Sequence, residues 1–283
     1  VGPARAAEGR TAANGPWTPR IAVQLAVLAA AAFTYVTAEL LPVGALPAIA
    51  RDLHVSVPVV GTLLAWYALV AAVTTIPLVR CTAQWPRRRA LLLSLTCLTV
   101  SQLISALAPN FVVLACGRAL SAVTHGLILS VIAPIATRLV PASHSGRATT
   151  SIYVGISLAV VVGSPATAAM SLAWNWRIAV AAVAVISAVV TVAAAAVLPT
   201  MSLTDEQLTH VGRAAGHHRN RRLVIVSLLT MVAVTGHYIA FTFIAVIIRD
   251  VVGVRGPDIA CPAWTASRRA RVMGSIVFAS QAR

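Results

Sequence analysis

Seven apolar runs, each about as long as an α-helix that crosses a bilayer, follow one another between residues 21 and 248. They cover residues 21–41, 57–79, 91–107, 111–136, 151–172, 178–198 and 223–248. Alanine, valine and leucine dominate them, without the polar–apolar alternation that barrel strands need. The chain therefore reads as an all-α integral membrane protein. Composition excludes the soluble alternative. Hydrophobic residues make up 59% and charged residues only 10%, against about 25% charged in an ordinary soluble domain.

The formal net charge of +15 would point to nucleic acid in a soluble protein. Here all basic residues are arginine, and most lie between apolar runs. They read as topology signals beside anionic lipid, so lipid is the expected partner and nucleic acid is not. Placing the N-terminus in the cytoplasm puts Arg5, Arg10, Arg20, Arg80, Arg87, Arg88, Arg89, Arg138, Arg147, Arg213, Arg219, Arg221 and Arg222 inside. Only Arg51, Arg177, Arg249 and Arg255 fall outside, near Asp52, Asp250 and Asp258. The first run is longer than a signal-peptide core and is followed by further spans, so it is expected to be retained.

Other chemistries lack their residues. The four cysteines form no CxxC or Cys/His cluster, and His210, His217 and His218 have no second ligand set, so no metal and no cofactor are expected. Catalysis has no nucleophile beside a base and no glycine-rich phosphate loop; the chain is not expected to be an enzyme. A retinal protein needs a lysine, and the sequence has none. A receptor of the G-protein-coupled kind would place its N-terminus outside, against the arginine bias.

Ionisable residues inside spans are costly and usually face a cavity or a partner. Glu39 lies near the outer end of the first span and Arg118 about two turns into the fourth. One reading pairs them as a proton-responsive charge pair. The other makes Glu39 interfacial and Arg118 a structural arginine that snorkels or binds backbone carbonyls; spacing does not choose between them. His125 lies seven residues after Arg118, on the same face with Ser121 between them, either to titrate or to satisfy a helix contact. In the fifth span Gly155, Ala159 and Gly163 recur every four residues and form a smooth packing face, and Pro165 removes a backbone donor.

In this order the motifs resemble the major facilitator superfamily. They are closest to its bacterial branch of antiporters that export drugs, sugars, purines and chloramphenicol in exchange for protons. The resemblance is carried by Ala38-Glu39-Leu40-Leu41-Pro42 through Leu46-Pro47-Ala48-Ile49-Ala50-Arg51-Asp52-Leu53, read as the end of the first helix and its following loop. It continues in Gly61 with Trp66-Tyr67-Ala68-Leu69 and Pro77, in Gly117-Arg118-Ala119-Leu120 with His125-Gly126, and in Gly155 to Gly163 with Pro165 and Trp176-Arg177. Thr235-Gly236-His237-Tyr238 with Phe241-Thr242-Phe243 completes it. The resemblance implies that Arg118 and the fifth-helix motif of Gly155, Gly163 and Pro165 take part in proton-coupled exchange, and Glu39 and His125, as ionisable residues of the spans, are candidates to share that role with Arg118. A cavity for a small amphipathic substrate is expected near Tyr67, Ser121, His237 and Tyr238. The resemblance also implies alternating access between two six-helix bundles in a bacterial plasma membrane. A cytoplasmic gating loop is implied at Arg87, Arg88 and Arg89. That loop departs from the family pattern, with Val79 for its glycine, Ala83 for its aspartate and Gln84 for its first arginine. Thr167-Ala168-Ala169 likewise replaces the glycines expected after Pro165.

The expected organisation is a cytoplasmic tail (1–20), a six-helix bundle (21–198), a linker (199–222), a seventh helix (223–248) and an irregular tail (249–283). After Ala260 the family would begin an eighth helix. Cys261-Pro262-Ala263-Trp264 and the arginines that follow do not, which predicts a shifted frame or truncation from residue 261. The second half is then missing, and transport is expected to be weak or absent unless another polypeptide supplies a transporter half.

Overall fold

The computed structural model describes residues 17–200, with Ile225, Leu228, Leu229, Val232, Ala233 and Gly236 as six helical positions of the seventh run. The expectations for residues 1–16, the linker beyond residue 200, His237, Tyr238 and the tail from residue 249 lie outside the described residues.

Among the described residues six helical spans are long and apolar enough to cross a membrane. They comprise α1 (Pro19–Asp52), α2 (Val57–Cys81), α3 (Arg87–Ala106), α4 (Phe111–Arg138), a fifth span in two pieces, α5 (Ser145–Leu158) and α6 (Ser164–Ala173), and α7 (Trp176–Val197). Their starts follow from capping. Thr18 accepts a bond from the Ile21 N–H with Pro19 at the first helical position, Asn110 accepts from Val113, and Asn175 accepts from Arg177. Short connections make successive spans antiparallel. The start of α1, the start of α3 and the end of α7 meet at one end of the bundle, here called the amino-terminal side: Gln24 Nε2 donates to the Val197 carbonyl, and Arg88 donates to that of Ala195. α1 packs against α5, α6 and α7, whereas α3 lies between α4 and α7.

Three sequence expectations need correction. α1 does not end near Leu41; it runs 34 residues through Pro42 and Pro47, so the segment read as a following loop is helical to Asp52. Each proline removes one donor, and a membrane helix tolerates the loss where a neighbour supplies another partner. Arg87, Arg88 and Arg89 do not form a loop but the first turn of α3, after Pro86 at its N-cap. An apolar-run criterion misses this turn because it counts only apolar residues, while arginine stems pack along the helix and carry their charge to its end. The fifth span is not one regular helix: residues Ala159–Gly163 form a π turn, in which the Ser164 N–H reaches the Ala159 carbonyl.

The smooth face of the fifth span does what its spacing predicts. A Cβ on Gly155 would overlap the Ala29 carbonyl of α1, and one on Gly163 would overlap the Thr37 side chain. Both contacts advance by eight residues on each helix (29 to 37, 155 to 163), so the two spans run parallel in close register. Further along, a Cβ on Gly44 would lie 2.7 Å from the Ala168 Cβ. The glycine missing at 168 thus has its counterpart on α1.

Candidate functional site

The polar groups of α1, α2 and α4 converge on His125. Its Nδ1 lies 3.7 Å from Glu39 Oε2 and shares a 3.1 Å hydrogen bond with the Tyr67 hydroxyl. The Tyr35 and Tyr67 rings flank the imidazole with centroids at 5.8 and 5.6 Å. Tyr35, 2% exposed, donates to the Ser121 carbonyl at 2.6 Å and lies 3.1 Å from Thr124 Oγ1. Sequence reasoning does not single out Tyr35, although it lies four residues before Glu39 and shares its helix face.

Arg118 is 4% exposed and belongs to the same cluster, with its guanidinium 5.2 Å from the Tyr67 ring centroid. The side-chain pair with Glu39 does not form. Arg118 instead donates to the backbone carbonyls of Ala38 (3.2 Å) and Glu39 (3.0 Å), while the Glu39 carboxylate turns to His125. Local chemistry explains the choice. In a regular helix the Ala38 carbonyl would accept from residue 42, and Pro42 has no N–H to give. Arg118 supplies the missing donor. Ser121 is buried, and its hydroxyl donates to the Arg118 carbonyl, one turn back on α4.

The remaining predicted residues lie apart. Gly155 and Gly163 belong to the interface with α1, Pro165 lies in the first turn of α6, and Arg87 to Arg89 lie at the amino-terminal side. A second polar centre, with no role assigned from sequence, joins three helix ends on the opposite side. Asp52 Oδ2 pairs with Arg177 at 3.0 Å and accepts from Trp176 Nε1 at 3.1 Å. Arg177 also donates to the carbonyls of Ala106 and Ala108 at the end of α3 and stacks on Trp176. The Trp176-Arg177 pair is visible in sequence; that it meets Asp52 is not, because the partners are more than a hundred residues apart. Among the described residues no group of three or more His, Cys, Asp or Glu is placed to hold a metal ion.

Comparison with known proteins gives a consistent picture. The Major Facilitator Superfamily profile matches residues 28–279. Chloramphenicol efflux pumps from two strains of Mycobacterium tuberculosis are 73% and 72% identical over 245 residues, 87% of this chain and 59% of theirs. The chain therefore spans about three fifths of the length of these relatives. Among solved structures, a peptide transporter bound to sulfate superposes with a TM-score of 0.56 at 15% identity, covering 81% of this chain and 49% of that one. At that identity the likeness establishes the fold.

Proposed function

Because the chain belongs to the Major Facilitator Superfamily, we propose that it serves in the proton-coupled efflux of small amphipathic compounds by alternating access. Membership places it among transporters rather than enzymes. Relatives named as chloramphenicol efflux pumps favour a neutral aromatic drug of that kind as substrate.

The observation that carries the coupling is the convergence of Glu39, Tyr67 and His125 from three helices within a bundle that is otherwise largely apolar. The carboxylate lies 3.7 Å from the imidazole, which is hydrogen-bonded to the phenol, and ionisable groups gathered inside a membrane bundle mark a route for the coupling ion. Arg118 is held by two carbonyls of α1, so it acts as a positioning residue that fixes where Glu39 leaves its helix. The two prolines inside α1 and the π turn of the fifth span are places where helices can flex as the site opens to alternate sides. The arginine bias supports an N-terminus on the cytoplasmic side, and the family resemblance supports a bacterial plasma membrane.

A second reading, a transporter half that assembles with another membrane polypeptide, is favoured by the unequal cover of the spans. Only 22% of the apolar stretch of α2 and 28% of that of the fifth span are buried, against 50% for α1, α3 and α4.

The test is uptake of labelled chloramphenicol into proteoliposomes holding the full chain, driven by a proton gradient. Gradient-driven transport should be lost in Glu39→Gln and His125→Asn while drug binding persists. Undiminished transport by both variants would remove the coupling assignment. Transport that appears only when a second polypeptide is present, with a detergent-corrected mass well above 29.4 kDa, would favour the second reading.

A further inference from the structure

We propose that Tyr67 is a positioning residue for His125: its hydroxyl holds Nδ1, keeps the hydrogen of the neutral imidazole on Nε2, and must let go before Glu39 can pair with the ring. The part this gives Tyr67 in transport rests on the coupling role proposed above for Glu39 and His125; the place of the hydrogen does not. Two partners address one nitrogen. The Tyr67 hydroxyl oxygen lies 3.1 Å from Nδ1, within hydrogen-bond range, whereas Glu39 Oε2 lies at 3.7 Å, beyond it. Nδ1 carries either a lone pair or a hydrogen, so it cannot accept from the phenol and donate to the carboxylate at once. A phenol is a better donor than acceptor, and a bare imidazole nitrogen is the better acceptor of the two, so the O–H donates to Nδ1. Neutral His125 then bears its hydrogen on Nε2. Tyr35 does not compete, because its own hydroxyl donates to the Ser121 carbonyl. Tyr67 is also held in place. It is buried, its ring stands edge-on to the imidazole at 84°, and the Arg118 guanidinium covers the ring 5.2 Å from its centroid.

A second proton, delivered by water, bonds to the Nδ1 lone pair. Tyr67 keeps its own hydrogen, turns it away and accepts from the new N–H, and the charged ring draws in the Glu39 carboxylate. The charged pair therefore forms only by displacing a hydrogen bond already made. The ionisable groups that face His125 are Glu39 and Tyr35 of α1 and Tyr67 of α2, with Arg118, on α4 itself, reaching Tyr67. α3 and α5 also pack on α4, and among the described contacts of His125 neither contributes an ionisable group.

Solid-state nuclear magnetic resonance tests this on the full chain in lipid bilayers, with histidine labelled in both ring nitrogens and a mildly alkaline buffer in which a free imidazole is neutral. The His125 signals are assigned by their loss in His125→Asn. In the unsubstituted chain the bare nitrogen should be Nδ1. In Tyr67→Phe, which removes only the hydroxyl, the hydrogen should pass to Nδ1 opposite Glu39, so that the bare nitrogen becomes Nε2. A hydrogen on Nδ1 in the unsubstituted chain, in a neutral or a doubly protonated ring, would mean that Glu39 already holds this nitrogen, and it overturns the proposal. A Tyr67→Phe spectrum identical to that of the unsubstituted chain overturns it as well. If Tyr67→Phe does not fold, the unsubstituted chain decides alone. In proteoliposomes, gradient-driven chloramphenicol uptake by Tyr67→Phe should fall several-fold while drug binding persists; undiminished uptake would remove Tyr67 from the transport step. Failure of the coupling assignment itself is read separately, in Glu39→Gln and His125→Asn, and leaves the nitrogen spectrum of the unsubstituted chain as it was.

Discussion

Among single residues, the exchange between Pro42 and Arg118 sets the geometry of the polar cluster. Pro42 leaves the Ala38 carbonyl of α1 without its helical donor, and Arg118 on α4 fills the place. Arg118→Ala should cost about 3 kcal/mol, because it removes charge-assisted bonds and leaves a buried carbonyl unpaired. Pro42→Ala restores the donor within α1, so the double variant should lose clearly less than the sum of the two single ones in thermal unfolding in detergent. Additive losses would mean that Arg118 does not compensate for the proline. At the opposite side, Asp52→Asn should cost only about 1 kcal/mol, since Asp52 and Arg177 are partly exposed. The loss should shrink at high salt, which an unfolding series in sodium chloride reads directly. Glu39, Arg118 and His125 are all legible as intramembrane ionisable groups. Their pairing is not, because spacing places a residue on a helix but does not say whether a neighbour meets its carboxylate or its carbonyl.

Elements are legible as apolar runs and illegible at their ends. Six runs correspond to six spans, yet α1 passes two prolines and α3 begins with three arginines. Hydropathy registers neither a donor supplied by another helix nor a charged side chain whose stem lies along the span. The glycine face of the fifth span is legible as a packing surface, and its two ends differ in what they meet. Gly155→Ala confronts the Ala29 backbone and should cost about 1–3 kcal/mol, with no single side-chain change able to relieve it. Gly163→Ala confronts the Thr37 side chain. Adding Thr37→Ala should recover most of that loss, also because the Thr37 hydroxyl is buried without a partner. Unfolding midpoints of Gly155→Ala, Gly163→Ala and the Gly163→Ala/Thr37→Ala double decide this; no recovery in the double, or an equal recovery of Gly155→Ala by Thr37→Ala, would contradict the packing described.

For the whole molecule, the charge bias makes a prediction about sidedness. With the native cysteines replaced, Gln84→Cys, on the amino-terminal side, should be modified by an impermeant maleimide only from the cytoplasm. His54→Cys, between α1 and α2, should be modified only from outside; the reverse pattern would invert the topology. The order of residues is enough to establish the solvent of this chain, its number of described spans and its family. Those properties depend on sums over many side chains and on short motifs within one helix. Packing of the helices was needed to show that Arg118 serves the carbonyls of Ala38 and Glu39, that Glu39 turns to His125, and that Asp52 gathers Trp176 and Arg177. These contacts join residues far apart in the chain, and each is fixed by the rotation and register of a helix against its neighbour, which no local pattern encodes.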